Sequence, residues 1–371
     1  MGGSAVLDDR ALNRATLARQ HLLQRAALDP TALAGELVGL QAQTPHTWYV
    51  GIWSRLADFD PESVSTLLQQ RILVRVSMMR STIHLVTADD CLALRRLFDP
   101  VNARGLRSSF GRALDGVDLD QLAAAGREIL SAGPRTFAQL GRDLGQRWPA
   151  VDPGALAQGV RALEVLVQVP PRGLWGRSGQ VAHTTAQAWL GRPVAAQPSP
   201  VDLVRRYLAA FGPATAMDAQ AWSGLTRLGE VFDGMREELV TFRDGAGREL
   251  FDLPDAPRPS GQTEVPPRFL ADFDNLLLGY ADRSRVVTAA YLRLWQAGNG
   301  VLPRAFLLGG VTAGTWRVDD TTQSWTLHVE PFTRPGRADR VALETEASAL
   351  LRFLASAARR PPASLSVRLA H

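Results

Sequence analysis

Asp60-Pro-Glu-Ser-Val-Ser-Thr-Leu-Leu68, and after it Arg80-Ser-Thr-Ile-His-Leu-Val-Thr-Ala-Asp-Asp90, decide how the fold is read. Asp60 is an N-cap residue, and Pro61 stands in the first turn, where a missing N–H is no loss. Val64, Leu67 and Leu68 then recur at helical spacing. Arg80 to Val86 alternates polar and apolar, the period of a strand with one buried face. Thr87-Ala-Asp-Asp90 caps a further helix that carries Leu92, Leu94 and Leu97.

Working outward, Leu12 to Leu23 is apolar at helical spacing, with Asp9 or Asn13 as its cap. Asp29-Pro30-Thr31 starts a second helix that is expected to run through Leu33, Leu37 and Leu40 to Gln41. Helices followed by a short strand pair fit a winged helix. The pattern recurs twice, where Gly133-Pro-Arg-Thr136 and Gly212-Pro-Ala-Thr215 each precede a short amphipathic helix. A second helix follows each time, then a hairpin: Val169 to His183 in the first copy, Leu239 to Leu253 in the second. From about Arg268 short β-like runs take over, at Val286–Val287, Ala305–Leu308, Thr315–Val318 and Trp325–Val329, closed by a helix over Ala342–Ala358. The fold class is therefore α+β. Tandem winged-helix units are expected at residues 10–115, 116–195 and 200–260, and a small C-terminal β-barrel with a terminal helix at 268–371.

Composition narrows the function classes. A 46% hydrophobic and 21% charged content suits a globular chain, and no apolar run reaches the ~18 residues that span a bilayer. Met1 to Arg10 holds two aspartates and no apolar leader core, so a cytoplasmic protein is expected. The single cysteine, Cys91, excludes an internal disulfide framework and a cysteine-based zinc site. Six histidines show no metal-ligand spacing, and there is no Gly-rich phosphate loop, so neither metal nor cofactor is expected. All 41 basic residues are arginine. A net charge of +4 with pI near 9.9 permits nucleic-acid binding through guanidinium forks.

Gln41-Ala42-Gln43 is the anomaly. Two carboxamides one residue apart follow an apolar run. They can cap the last turn of a helix, or hold a water or a base edge. His46 has two readings, a contact to sugar or phosphate and a satisfied structural histidine; for His84, among apolar neighbours, the structural role is expected. Trp48, Tyr49 and Trp53 are core or a stacking wall, and Arg283 and Arg285 pair with Asp282 or grip phosphates.

Gly39-Leu-Gln-Ala-Gln43, Gly51-Ile-Trp-Ser-Arg55, Met79-Arg-Ser-Thr-Ile-His-Leu85, Gly173-Leu-Trp-Gly176 with Thr184-Thr-Ala186, and Phe269-Leu-Ala-Asp-Phe-Asp-Asn-Leu-Leu-Leu278 with Ala281-Asp-Arg-Ser-Arg285 stand together. In these phrases the chain resembles the bacterial winged-helix DNA glycosylases typified by the azinomycin self-resistance glycosylase AlkZ (AlkZ/YcaQ-like), over nearly its whole length. The resemblance implies three winged helices and a β-barrel embracing DNA. It implies Gln41 and Gln43 as the catalytic Gln-x-Gln motif, a form alternating in the family with Gln-x-Asp. His46, Trp48, Arg55, Arg283 and Arg285 are the expected substrate and DNA contacts. Tyr280 departs from the pattern, where a histidine is expected.

The implied partner is double-stranded DNA carrying alkylated or cross-linked purines, bound by a monomer and without a membrane. The implied activity is hydrolysis of the N-glycosidic bond of cationic, bulky N-alkylated purines, interstrand cross-links included, in base excision repair or antibiotic self-resistance. N-alkylation leaves the base cationic and ready to depart, so one neutral carboxamide orienting water and the other touching the deoxyribose would suffice. A winged-helix transcriptional regulator and a drug-sequestering protein are the competing readings. Without lysine, no side-chain amine can form a Schiff base at the sugar, so a monofunctional enzyme is expected. Borohydride should trap no covalent protein–DNA adduct during turnover; efficient trapping would overturn this.

Overall fold

Leu40–Gln41, a strand of two residues, forms one edge of the largest sheet in the structure. The structure, a computed structural model, describes residues 5–298, 302–358 and 362–370. The strand order of this sheet is Leu40–Gln41, Ile83–Thr87, Leu73–Ser77, Leu166–Val169, Ala182–Thr185 and Arg135–Thr136, antiparallel throughout. The hairpins of the first two helical groups are thus fused into one sheet through Arg75 opposite Gln168 and Val76 opposite Val167.

Helices begin where their caps allow. Asp60 accepts from the Glu62 N–H ahead of Pro61–Gln69, and Thr87 accepts from the Asp90 N–H ahead of Ala88–Leu94. The repeated Gly-Pro-x-Thr phrase forms a capping box twice, Thr136 with Gln139 and Thr215 with Asp218, opening helices Phe137–Gly145 and Ala216–Ser223. The third group adds Pro200–Phe211 and Leu228–Gly234, with a separate hairpin of Val240–Arg243 and Glu249–Asp252.

The C-terminal region is a curled half-barrel of five strands, in the order Ser364–Leu369, Ser324–Pro331, Val311–Asp320, Ala305–Leu308 and Arg268–Phe269. Its outermost strands do not pair with each other among the described residues, so the closed barrel expected from sequence is not seen. Helix Arg337–Ala355 buries Leu343, Ala347, Leu350 and Leu351.

Other expectations change too. The first helix is Asp9–Arg19 and is capped by Asp8. The second stops at Glu36, well short of Gln41. Val286–Val287 is a buried turn rather than a strand, with the Val286 carbonyl accepting from the Thr312 N–H at 2.9 Å.

Buried ion pairs tie the ends of the chain together. Arg19 grips Asp252 through two bonds of 2.7 and 2.8 Å. Arg55, fully buried, grips Asp274 through two of 2.9 and 2.7 Å. Cutting one partner away strands the other charge in a dry site. Asp274→Ala should therefore destabilise the protein by about 3–5 kcal/mol, read as a lowered midpoint in thermal or urea denaturation, whereas an unchanged midpoint would show the pair to be dispensable.

Candidate active site

Gln41 and Gln43 reach their positions through a sharp reversal after helix Pro30–Glu36. Val38 has φ 56° and Gly39 φ 94°. A Cβ at Gly39 would lie 2.5 Å from Val86 Cγ1 and 2.8 Å from the Leu85 carbonyl oxygen, so only glycine lets the chain turn here against its neighbour. Leu40 then faces Leu85 and Gln41 faces His84 across the ladder, and the Ala42 N–H donates to Ile83 O at 2.7 Å. Strand alternation sends Leu40 and Ala42 into the core and sets Gln41 and Gln43 on the other face.

Two residues of so short an edge strand do not hold themselves. Asn275 supplies what is missing. Its Nδ2 donates to the Gly39 carbonyl at 2.6 Å, and its Oδ1 accepts from the Gln41 N–H at 3.2 Å, as a neighbouring strand would. Asn275 follows Asp274, the partner of Arg55, so one dipeptide anchors both the turn that ends helix Trp48–Trp53, just after the motif, and the strand within the site.

Each carboxamide is turned the same way. Gln41 Oε1 accepts from an Arg80 Nη at 2.8 Å, and Gln43 Oε1 accepts from the Ile83 N–H at 3.0 Å. Both partners can only donate, so the oxygen and nitrogen of each amide are assigned without ambiguity. Neither NH2 has a protein partner among the described residues. The pair therefore offers donors outward and keeps one lone pair per oxygen.

The surroundings are cationic. Arg75 donates to the Ala42 carbonyl between the two glutamines at 2.9 Å, and burial, then Arg172, lowers its pKa to about 10. Burial, then Arg283, lowers Arg80 to about 10 as well. Arg161 donates to Ser81 O at 3.1 Å. None of Arg75, Arg80, Arg161 and Arg283 has a carboxylate partner among the described residues. His84 is pushed down to about 3 by burial and then by Arg80, and its Nδ1 lies 3.0 Å from Thr82 O. It is neutral at pH 7 and cannot serve there as an acid. Among the described residues no three of His, Cys, Asp or Glu gather as a metal site.

The other expected contacts divide. Trp48 is buried at 1% exposure and stacked on Tyr49, hence core. Arg55 is spent on Asp274 and cannot reach a phosphate. Arg285 is buried too, its Nη donating to Pro213 O at 2.9 Å and its guanidinium lying over Tyr280. The Tyr280 hydroxyl, in place of the expected histidine, bridges Thr16 Oγ1 and Phe211 O at 2.7 Å each. Arg283 is half-buried over Trp295 and close enough to Arg80 to depress its pKa. His46 is half-buried in a left-handed conformation, φ 65°, and lowered in pKa by burial and then, despite a bond to backbone, by Arg75 and Arg172. It lines a half-open cleft of about 430 Å³ with Trp175, Arg177, Arg304, Trp316 and Trp325. Arg80 and Asn275 were missed as site residues, although both stand inside the phrases that carry the resemblance.

A family model for AlkZ-like DNA glycosylases matches residues 34–353. The chain belongs to the AlkZ-like DNA glycosylase family. It is 26% identical over 365 residues to an interstrand DNA cross-link repair glycosylase of Streptomyces sahachiroi, covering 90% of this chain and 93% of that one. Its fold matches the solved structure of the DNA glycosylase AlkZ of Streptomyces sahachiroi with a TM-score of 0.77 at 23% identity, over 98% of this chain and all of the other.

The depressed histidine has a measurable consequence. Folded His84 takes up its proton near pH 3, the unfolded residue near 6.5. The unfolded state thus binds more protons between those values, and stability falls as pH drops through that window, by at most about 1.4 kcal/mol per pH unit for one histidine. His183, lowered to about 4 by burial, acts in the same sense. Urea denaturation at pH 6.5 and 4.5 should show a smaller loss in His84→Asn than in the parent. Equal losses would mean that His84 titrates normally in the fold.

Proposed function

We propose that this glycosylase hydrolyses the N-glycosidic bond of cationic, bulky N-alkylated purines in double-stranded DNA, interstrand cross-links included, and leaves an intact abasic site. The observation that carries the reading is a pair of neutral carboxamides, Gln41 and Gln43, with no free acid beside them among the described residues. The nearest imidazole, His84, is neutral, and Asp274 is consumed by Arg55. A neutral base would need a proton to leave. A base alkylated at a ring nitrogen already carries the charge, so its departure needs only a positioned water and a held sugar.

Several features support the rest. The unpaired arginines around the motif suit phosphate, with Arg283 and His46 as the expected contacts that stay accessible. The three helix groups, each with a hairpin, are read as winged-helix modules that carry the duplex. The tryptophan-lined cleft at His46 suits the planar arm of a bulky adduct. The Streptomyces relative, an interstrand DNA cross-link repair glycosylase, supports including cross-linked purines in the substrate class; the setting we propose is genotoxin self-resistance or base excision repair.

Duplex DNA carrying N7-alkylguanine, incubated with the enzyme and then treated with alkali, should break at the adduct. Gln41→Ala and Gln43→Ala should each slow that release by roughly 10²–10³-fold while still shifting the same DNA in a gel. A shift without base release from the parent protein would instead mark a binder.

A further inference from the structure

We propose that Arg80 is a positioning residue of this site, setting which way the Gln41 carboxamide faces. The inference rests on the reading of Gln41 as a group that touches the substrate. A glutamine amide rotates over a broad, two-fold torsion and by itself has little preference between its two faces. The two faces present opposite chemistry, a carbonyl acceptor or an NH2 donor. A guanidinium has five donors and no acceptor, so beside Arg80 only one orientation makes a bond, with Oε1 turned inward at 2.8 Å. That bond is charge-assisted, which strengthens it and polarises the amide, making the outward NH2 the better donor.

Arg80 is itself held in place. It sits in a 3-10 turn, Met79–Ser81, at φ 54° and ψ 22°, with Ser81 at φ 60° beside it. Its other Nη donates to the carbonyl of Trp222, in the last turn of helix Ala216–Ser223, where the helix dipole favours a cation. Gly224 ends that helix at φ 80°, and a Cβ there would lie 3.3 Å from Arg80 Cα and 3.4 Å from its nitrogen. The third helical group thus reaches the glutamine pair through Arg80. No carboxylate among the described residues competes for the guanidinium.

A plain phosphate contact is the rival role for an unpaired arginine, and kinetics separates the two. The probe is duplex DNA with N7-methylguanine, at saturating full-length enzyme, alongside the dissociation constant measured across a salt series. Arg80→Met should slow single-turnover release by roughly 10²-fold, with affinity and its salt slope little changed. Arg80→Lys should recover part of the rate. The double variant Arg80→Met/Gln41→Ala should be no slower than Gln41→Ala alone. Gln41→Glu keeps the oxygen for Arg80 but loses the NH2, so it should be as slow as Gln41→Ala; it also serves if Arg80→Met does not fold. The proposal is overturned if Arg80→Met only weakens binding and lowers the salt slope by about 1, if the two losses multiply, or if Gln41→Glu stays active. Full activity in Gln41→Ala would sink the reading of the glutamine pair itself, a result distinct from an inert Arg80→Met beside a dead Gln41→Ala.

Discussion

The site depends on one edge strand that cannot stand alone. Leu40–Gln41 is bonded on one side to Ile83–Thr87, and two residues give too few ladder bonds to fix a side chain in space. Asn275 closes the open side, and Asp274, next to it, locks Arg55 just past helix Trp48–Trp53, which follows the motif. The C-terminal region is therefore part of how the glutamines are aimed. A chain cut before residue 268 would keep the motif but lose the clamp that orients it.

Charge raises a problem that the geometry resolves. Departure of a purine leaves positive charge on the sugar, and four arginines without carboxylate partners near Gln41 oppose it in the free protein. Phosphates of a bound duplex would reverse the balance by setting their own charge beside the sugar. Neutral glutamines fit such a site better than carboxylates do. A carboxylate at position 41 would pair with Arg80 and withdraw from the substrate, whereas an amide takes the hydrogen bond and still offers a donor.

Much of this was legible in the sequence, for reasons that can be named. Asp60-Pro61, Thr87, Thr136 and Thr215 mark helix starts because their side chains or rings act on the adjacent backbone, a local effect. The end of the second helix was misread because Leu37 to Leu40 is apolar in either conformation. What decides between them is the approach of Val86 to Gly39, 47 residues away. Trp48 was open to a core and a stacking role and is core, while Arg55 and Arg285 were expected as contacts because an arginine whose partners are distant in sequence looks like a free one. Arg80 and Asn275 were overlooked because their roles exist only once strands and helices from three parts of the chain converge.

The lack of lysine gains a sharper meaning at this site. Burial takes Arg75 and Arg80 from 12.5 to about 10, which leaves both charged at neutral pH. The same depression applied to a lysine, normally near 10.4, would bring its ammonium to about 8. A fraction of that amine would then be free beside the sugar, the condition for Schiff-base attack once the base has gone. Arginine supplies the same charge for phosphate without becoming a nucleophile. Under the proposed hydrolysis, a site built this way would surround an abasic sugar with cations and still leave its strand intact.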